Sequence, residues 1–197
     1  MLDGLFSHDR VTDLLTQSGF DNKALWAQVK PLVRKLGQAD GVLVVDDSIA
    51  HKPHSAINGL ISSHYDHSKG KQVKGINFVS LLYCIQGMRI PVGLSVVIKF
   101  LQCELKTKQQ LWRAMISKNE LFRQMLHQVY QNQVPFSYVL GDSWYTNSDN
   151  INAVLDMGKH YLGAVKTNLE VALSTTERAD GKLIKISALD LPVGTVR

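Results

Sequence analysis

The chain is short of the features that would fix its class at once. It has only two cysteines in 197 residues, Cys84 and Cys103, both in apolar, strand-like surroundings. Two are too few for a disulfide framework and suit reduced thiols in a cytoplasm. No apolar run reaches the 18 residues a membrane-spanning helix needs. The opening MLDGLFSHDR has no basic region leading into an apolar core, so it does not read as a secretory signal. Internal repeats and low-complexity tracts are missing too, which argues against a solenoid. Acidic residues are outnumbered 17 to 22, giving a net charge of +5. That balance points mildly toward a polyanionic partner. With 45% hydrophobic residues, the chain can build one good-sized core.

What is present centres on Gly41–Ser48, GVLVVDDS. A short β-branched run there leads straight into two carboxylates, which reads as a buried strand delivering acids to a sheet edge. Phe136–Asp142, FSYVLGD, repeats the design. Asp46 and Asp142 lie 96 positions apart (142 − 46), so any shared site depends on the fold. Side chains alternate along a strand, placing Asp46 with Val42 and Val44, and Asp47 with Leu43 and Val45. Both sets are apolar, so alternation does not choose between the two acids.

In chain order, Arg10–Gln17 predicts two helical turns, and residues 21–37 predict an amphipathic helix capped by Asp21 and kinked or divided at Pro31. These two helices can be read as a helix-turn-helix or, more simply, as cover for a sheet. A polar segment after Ser48 reads as a long loop with a helical turn near Ala56–Ile61. Strands follow at Val73–Ile85 and Ile90–Phe100, joined by a glycine turn. Thr107–Gln131 reads as the longest helix, with Leu111, Ala114, Met115, Leu121 and Met125 on its apolar face. The strand ending at Asp142 is next, then a helix capped by Ser148 and ended by Gly158, and a fifth strand over His160–Lys166. The segment LIKISAL alternates like one more strand. Three antiparallel strands, then two strands linked through helices and hence parallel, give an α/β mixed sheet with the strand order of the ribonuclease H-like fold. The expected organisation is a helical segment over 1–40, the catalytic core over 41–168, and the start of a β-rich insertion over 169–197.

Two aspartates at matched strand positions suit a hard divalent cation such as Mg2+. The polar segment holds His51, His54, His64 and His67, two H-x-x-H pairs that suggest zinc only weakly because no cysteine is near. Phosphate or solvent contact is the simpler reading. Lys52, Lys69, Lys71 and Lys74 make a basic cluster suited to a DNA backbone or simply to a solvated face. Trp144 and Tyr145 can stack on an unpaired base or pack the start of the following helix. Lys166 stands where it can meet a phosphate. Ser48 and Ser143 lack a histidine placed to activate either as a nucleophile.

On VVDDSIAHKP, HYDHSKGKQVKGINFVSLLY and YVLGDSWYTNSDNINAVLDMGKHYLGAVKTN, the chain resembles insertion-sequence transposases of the DDE superfamily, over about residues 5–190. The resemblance implies cut-and-paste DNA transposition on a ribonuclease H-like fold, with two Mg2+ or Mn2+ ions. It also implies DNA partners (transposon ends and target), a possible homodimer, and a bacterial, nucleoid-associated setting. It assigns the first two catalytic, metal-binding acids to Asp46 and Asp142. The DDS triplet fits the family's pattern of Asp, small residue, then Ser or Thr with Asp46 first, leaving Asp47 in reserve. The family's third acid, a glutamate, has no match: Glu170 and Glu177 follow the fifth strand too soon. The expectation is therefore a truncated transposase, either weakly active or a catalytically inactive DNA-binding or inhibitory protein. A different ribonuclease H-like nuclease, such as a resolvase, is the third reading.

Overall fold

The computed structural model describes residues 21–37, 40–66, 69–104, 108, 110–166 and 168–189. The helix expected over Arg10–Gln17, the cap at Thr107 and His67 lie outside them. Helix α1, Asn22–Leu36, starts where Asp21 Oδ1 accepts the Ala24 N–H at 2.8 Å. Pro31 sits within it, and the helix continues as one element rather than dividing in two. Its Val33 is fully buried in the core, and Asn22 Oδ1 accepts the Leu94 N–H at 2.8 Å. The helix thus covers the sheet.

The main sheet holds β1 (Val42–His51), β2 (Ser62–Asp66), β3 (Lys71–Ile85), β4 (Met88–Val96), β7 (Tyr138–Gly141) and β8 (His160–Gly163). β1 lies between β3, antiparallel, and β7, parallel; β8 extends the sheet parallel to β7. The 15-residue β3 pairs with β4 along one half and with β2 along the other, both antiparallel. This mixed α/β sheet has the ribonuclease H-like order expected from the sequence.

Several boundaries differ from expectation. β1 does not stop at Val45. Its pairing with β3 continues to His51↔Gly75, whereas its pairing with β7 ends at Val44↔Leu140. The acids therefore emerge where one neighbour ends and the other goes on. The supposed helical turn near Ala56–Ile61 is an Asn58 turn, whose Oδ1 accepts the N–H groups of Leu60 and Ile61, leading into β2. The strand at Ile90–Phe100 divides into β4 and β5 (Lys99–Cys103). β5 forms a two-stranded antiparallel ribbon with β6 (Gln110–Ala114), so the long helix is shorter than its apolar spacing suggested. Helix α2 spans Lys118–Gln131, and Ser117 Oγ accepts the Glu120 N–H at 3.1 Å. Ser-Lys-Asn-Glu is a capping-box sequence. Leu111, Ala114 and Met115 mimic helical periodicity, but the box marks the true start.

Helix α3, Ser148–Leu155, is capped by Asn147 rather than Ser148. The end of the chain adds β9 (Glu170–Val171), α4 (Thr175–Ala179), β10 (Ile184–Lys185) and a 3-10 turn at Ile186–Ala188. The strand expected over LIKISAL is thus mostly replaced by that turn. The core gathers Leu43 and Val45 of β1, Val79, Leu81 and Tyr83 of β3, and Phe122, Met125, Leu126 and Val129 of α2. Each such burial stabilises by about 1.5–3 kcal/mol before entropy is counted. No helix among the described residues is long and apolar enough to cross a membrane.

Candidate active site

The site grows from the register between β1 and β7. Val42↔Tyr138, Leu43↔Val139 and Val44↔Leu140 are partners. Two residues further on, that register brings Asp46 level with Asp142, just beyond the carboxyl end of β7. The end of parallel strands is where open α/β sheets place their ligands. Asp46 and Asp142 are both exposed and line one cleft of about 570 Å³, floored by Val44, Leu140, Gly141 and Gly163. A Cβ at Gly141 would press on the Tyr161 hydroxyl, Tyr145 and Val45, so glycine is what lets the chain pass into Asp142 here.

Backbone N–H groups fix both carboxylates. Asp46 Oδ1 accepts from its neighbour Asp47 N–H at 2.8 Å. Asp142 Oδ1 accepts from the N–H of Trp144 at 2.9 Å and of Tyr145 at 3.3 Å, while its carbonyl accepts from Thr146 Oγ1 at 2.9 Å. Such local bonds hold a turn without neutralising the charge. Neither acid has a cationic partner among the described residues.

Asp47 points to the opposite face of β1. Its Oδ2 receives Lys118 Nζ at 2.6 Å, and its Oδ1 receives the Tyr145 hydroxyl at 3.3 Å. Burial, and then the negative charge of Asp47, push the Tyr145 phenol well above its ordinary pKa, so it stays a donor. Tyr145 is fully buried and meets Phe122 edge to face, with ring centroids 5.9 Å apart. The ring is packed against Phe122 of α2 and is not open to stack on a base, which corrects the base-stacking expectation for this residue. Trp144 is different: it is 49% exposed, with the ammonium groups of Lys118 and Lys166 at 5.9 and 5.8 Å from its ring centre.

The remaining candidates divide into two groups. Lys69, Lys71 and Lys74 line a hollow with His51, and the Lys52 N–H bonds the Lys74 carbonyl at 2.9 Å alongside it. Lys69 also borders a second hollow shared by Asp46, Asp47, Asp142 and Asp66. Lys166 lies instead on the Asp47 side, in a cavity it shares with Asp142 and Trp144. His51 and His64 have separate partners. His51 meets Asp66 at 3.3 Å and Lys69 at 3.1 Å. His64 is buried against Ser62 Oγ at 2.9 Å, with burial first, then Lys99 and Lys118, lowering its pKa to about 4. Among the described residues, no three His, Cys, Asp or Glu side chains are grouped to hold a metal ion. Asp47 faces away from Asp46, Asp66 is engaged by His51 and Lys69, and Glu177 accepts the Leu173 N–H.

Sequence reasoning missed Lys99, Lys118, Asn77 and Asp66. The capping box would have placed Lys118 at the first turn of α2; nothing local marks the other three.

The family model for the DDE superfamily endonucleases matches residues 3–182. Two solved structures show similarity at low levels. One is the Drosophila P element transposase strand transfer complex, at 12% identity and a TM-score of 0.26, covering 77% of this chain and 25% of that one. The other is Ciona intestinalis Endonuclease V in complex with a 24mer DNA containing an inosine followed by a ribo-adenosine, at 14% identity and a TM-score of 0.30, covering 81% of this chain and 64% of that one. The chain thus spans a quarter and just under two thirds of their lengths. No curated protein matches it.

Proposed function

This chain belongs to the DDE superfamily endonucleases, and we propose that it is the catalytic part of a DNA transposase, cutting phosphodiester bonds at Asp46 and Asp142. The observation that carries this reading is the pair itself. Two exposed carboxylates border one cleft at the end of β7, fixed by backbone N–H groups and with no cationic side-chain partner among the described residues, while Asp47 next door is neutralised by Lys118.

Their chemistry fits the divalent cation that the family implies. Carboxylate oxygens at an open cleft are what Mg2+ or Mn2+ takes when it keeps several water ligands. Asp46 and Asp142 would hold the ion, which when bound supplies charge stabilisation for phosphoryl transfer. A second ion asks for a further acid.

The chain's own residues do the rest. The Asp46 and Asp142 carboxylates are pre-oriented, so little reorganisation accompanies reaction. Lys69 at the border of the acid hollow and Lys71 and Lys74 beside it, with Lys52 adjacent, neutralise strand phosphates and set register on the DNA. In the cut, a water oxygen bonds to phosphorus and the bond from phosphorus to the 3′ oxygen breaks, leaving a 3′-hydroxyl and a 5′-phosphate. The freed hydroxyl then attacks a target phosphodiester by the same displacement, which is strand transfer.

The test is nicking of plasmid DNA carrying the element's ends, with Mg2+ or Mn2+. Substitution of either acid by Ala is expected to abolish it; nicking that persists in both variants overturns the assignment. A second reading, a DNA-binding protein without cleavage, is favoured by the absence of a third grouped acid among the described residues. It predicts salt-dependent binding of the ends and no metal-dependent nicking by the unsubstituted chain.

A further inference from the structure

On the Asp47 side of the sheet, the core face turns from apolar to polar. Along β3 it carries Tyr83, Leu81 and Val79, then Asn77; along β2 it carries Ser62 and His64. Over this polar end opens a cavity of about 740 Å³, walled by the start of α2, the β5–β6 ribbon and Trp144. Three observations bear on what it holds.

The first is charge. Lys99, Lys118 and Lys166 line the cavity together with the carboxylates of Asp47 and Asp142. Lys118 is committed to Asp47. No carboxylate pairs with Lys99 or Lys166 among the described residues. Among the described residues Lys99 Nζ bonds the Ser63 carbonyl alone, at 2.6 Å, and burial followed by the charge of Lys118 lowers its pKa. His64 adds no charge near neutrality and no counter-ion. An anion relieves this crowding, and the N-terminus of the 14-residue α2 at the same wall favours one.

The second is Asn77. It is 1% exposed and borders the cavity, and its Oδ1 is the buried side-chain polar atom without a partner among the described residues. An unmade hydrogen bond of this kind costs about 1–3 kcal/mol, so an N–H or O–H donor that reaches Asn77 from the cavity would be stabilised there. The third is Trp144, a half-exposed ring at the same cavity, flanked by two ammonium groups.

One ligand class answers all three. We propose that this cavity seats a single unstacked nucleotide of the bound DNA strand, its phosphate at Lys99 and Lys166, its base against Trp144 and a base N–H toward Asn77. A bare phosphate meets the lysines but makes no use of the exposed Trp144 face or of Asn77. The proposal rests on the endonuclease reading and names a subsite on the opposite face of β1 from Asp46.

The test needs no metal. The chain is titrated with a deoxynucleoside 5′-monophosphate by calorimetry, with inorganic phosphate and the deoxynucleoside as separate arms. The mononucleotide is expected to bind at least about tenfold tighter than either fragment, since stacking and charge each contribute. Lys99→Gln is expected to weaken it at least about tenfold, and Trp144→Leu to bring it down to the level of inorganic phosphate. Urea midpoints close to that of the unsubstituted chain certify both variants as folded. Equal affinity for phosphate and mononucleotide, no binding up to about 10 mM, or a folded Lys99→Gln that binds normally overturns the proposal. Failure of the catalytic reading looks different: Asp46→Ala then nicks DNA normally while mononucleotide binding is untouched.

Discussion

Asp46 and Asp47 are neighbours in sequence and opposites in setting. One faces an open cleft, held by a backbone N–H; the other faces the core side, held by an ammonium and a buried phenol. The strand's alternation separates them, and the unequal ends of β3 and β7 pairing give the two faces different neighbours. On the open face a carboxylate keeps its charge available for a cation. On the other, the charge is spent on structure. Two adjacent acids therefore sit in unlike settings, and the two faces of one strand can be tested against each other.

The largest expected effect is on the open face. Asp46→Ala and Asp142→Ala should each lower metal-dependent nicking by at least about a hundredfold. The urea midpoint should change by no more than about 0.5 kcal/mol equivalent, as for other exposed positions. Gel assays of plasmid nicking and equilibrium unfolding read the two quantities. If Asp46→Ala costs stability instead of activity, the division between the faces is wrong.

The opposite face should respond in the opposite currency. Asp47→Ala leaves Lys118 without its carboxylate and Tyr145 without its acceptor, in a partly buried setting. A loss of about 1–3 kcal/mol is expected, or a melting temperature lower by roughly 2–4 °C per kcal/mol. Adding Lys118→Met removes the orphaned charge and should restore part of the loss, a non-additivity that a double-mutant cycle measures. Full additivity would show that the ion pair contributes nothing.

The same contrast explains what was legible in the sequence. GVLVVDDS and FSYVLGD announced two strands ending near acids, and strand order then placed Asp46 beside Asp142. What alternation could not do was rank Asp46 over Asp47, because Val42 and Val44 look as apolar as Leu43 and Val45. The difference in their settings depends on Lys118 and Tyr145, 71 and 98 positions from Asp47. The β5–β6 ribbon hid for a related reason: Leu111, Ala114 and Met115 carry helical spacing, yet pairing with β5 overrides it. Asn77 gave no signal at all, since a lone Asn in an alternating strand marks nothing until its surroundings are known.

A smaller effect follows from His64 on the core side. Its pKa falls from 6.5 in the unfolded chain to about 4 in the folded one, through burial and then Lys99 and Lys118. Between those values the unfolded chain binds a proton that the folded chain refuses, so stability rises with pH across this window and is lost as pH falls from about 6.5 to about 4. Urea midpoints at pH 7 and pH 5 should differ in the unsubstituted chain and differ less in His64→Gln, which cannot titrate. An unchanged pH slope in that variant would remove His64 as the cause.

The smallest effect belongs to the basic hollow near the open face. Lys71 is exposed and lines it with Lys69 and Lys74. As a phosphate contact, it acts on every DNA sequence alike. Lys71→Gln should weaken DNA binding severalfold and reduce the log–log salt slope by about 0.9. Nicking at saturating DNA should stay unchanged. Lys99→Gln, on the core side, removes a contact to an unstacked nucleotide, so it should lower the salt slope for DNA carrying an unpaired nucleotide and leave that of fully paired duplex nearly unchanged. Should Lys71→Gln leave the salt slope of fully paired duplex intact while Lys99→Gln lowers it, the strand's phosphates run along the core-side cavity, and the two faces exchange roles in DNA binding.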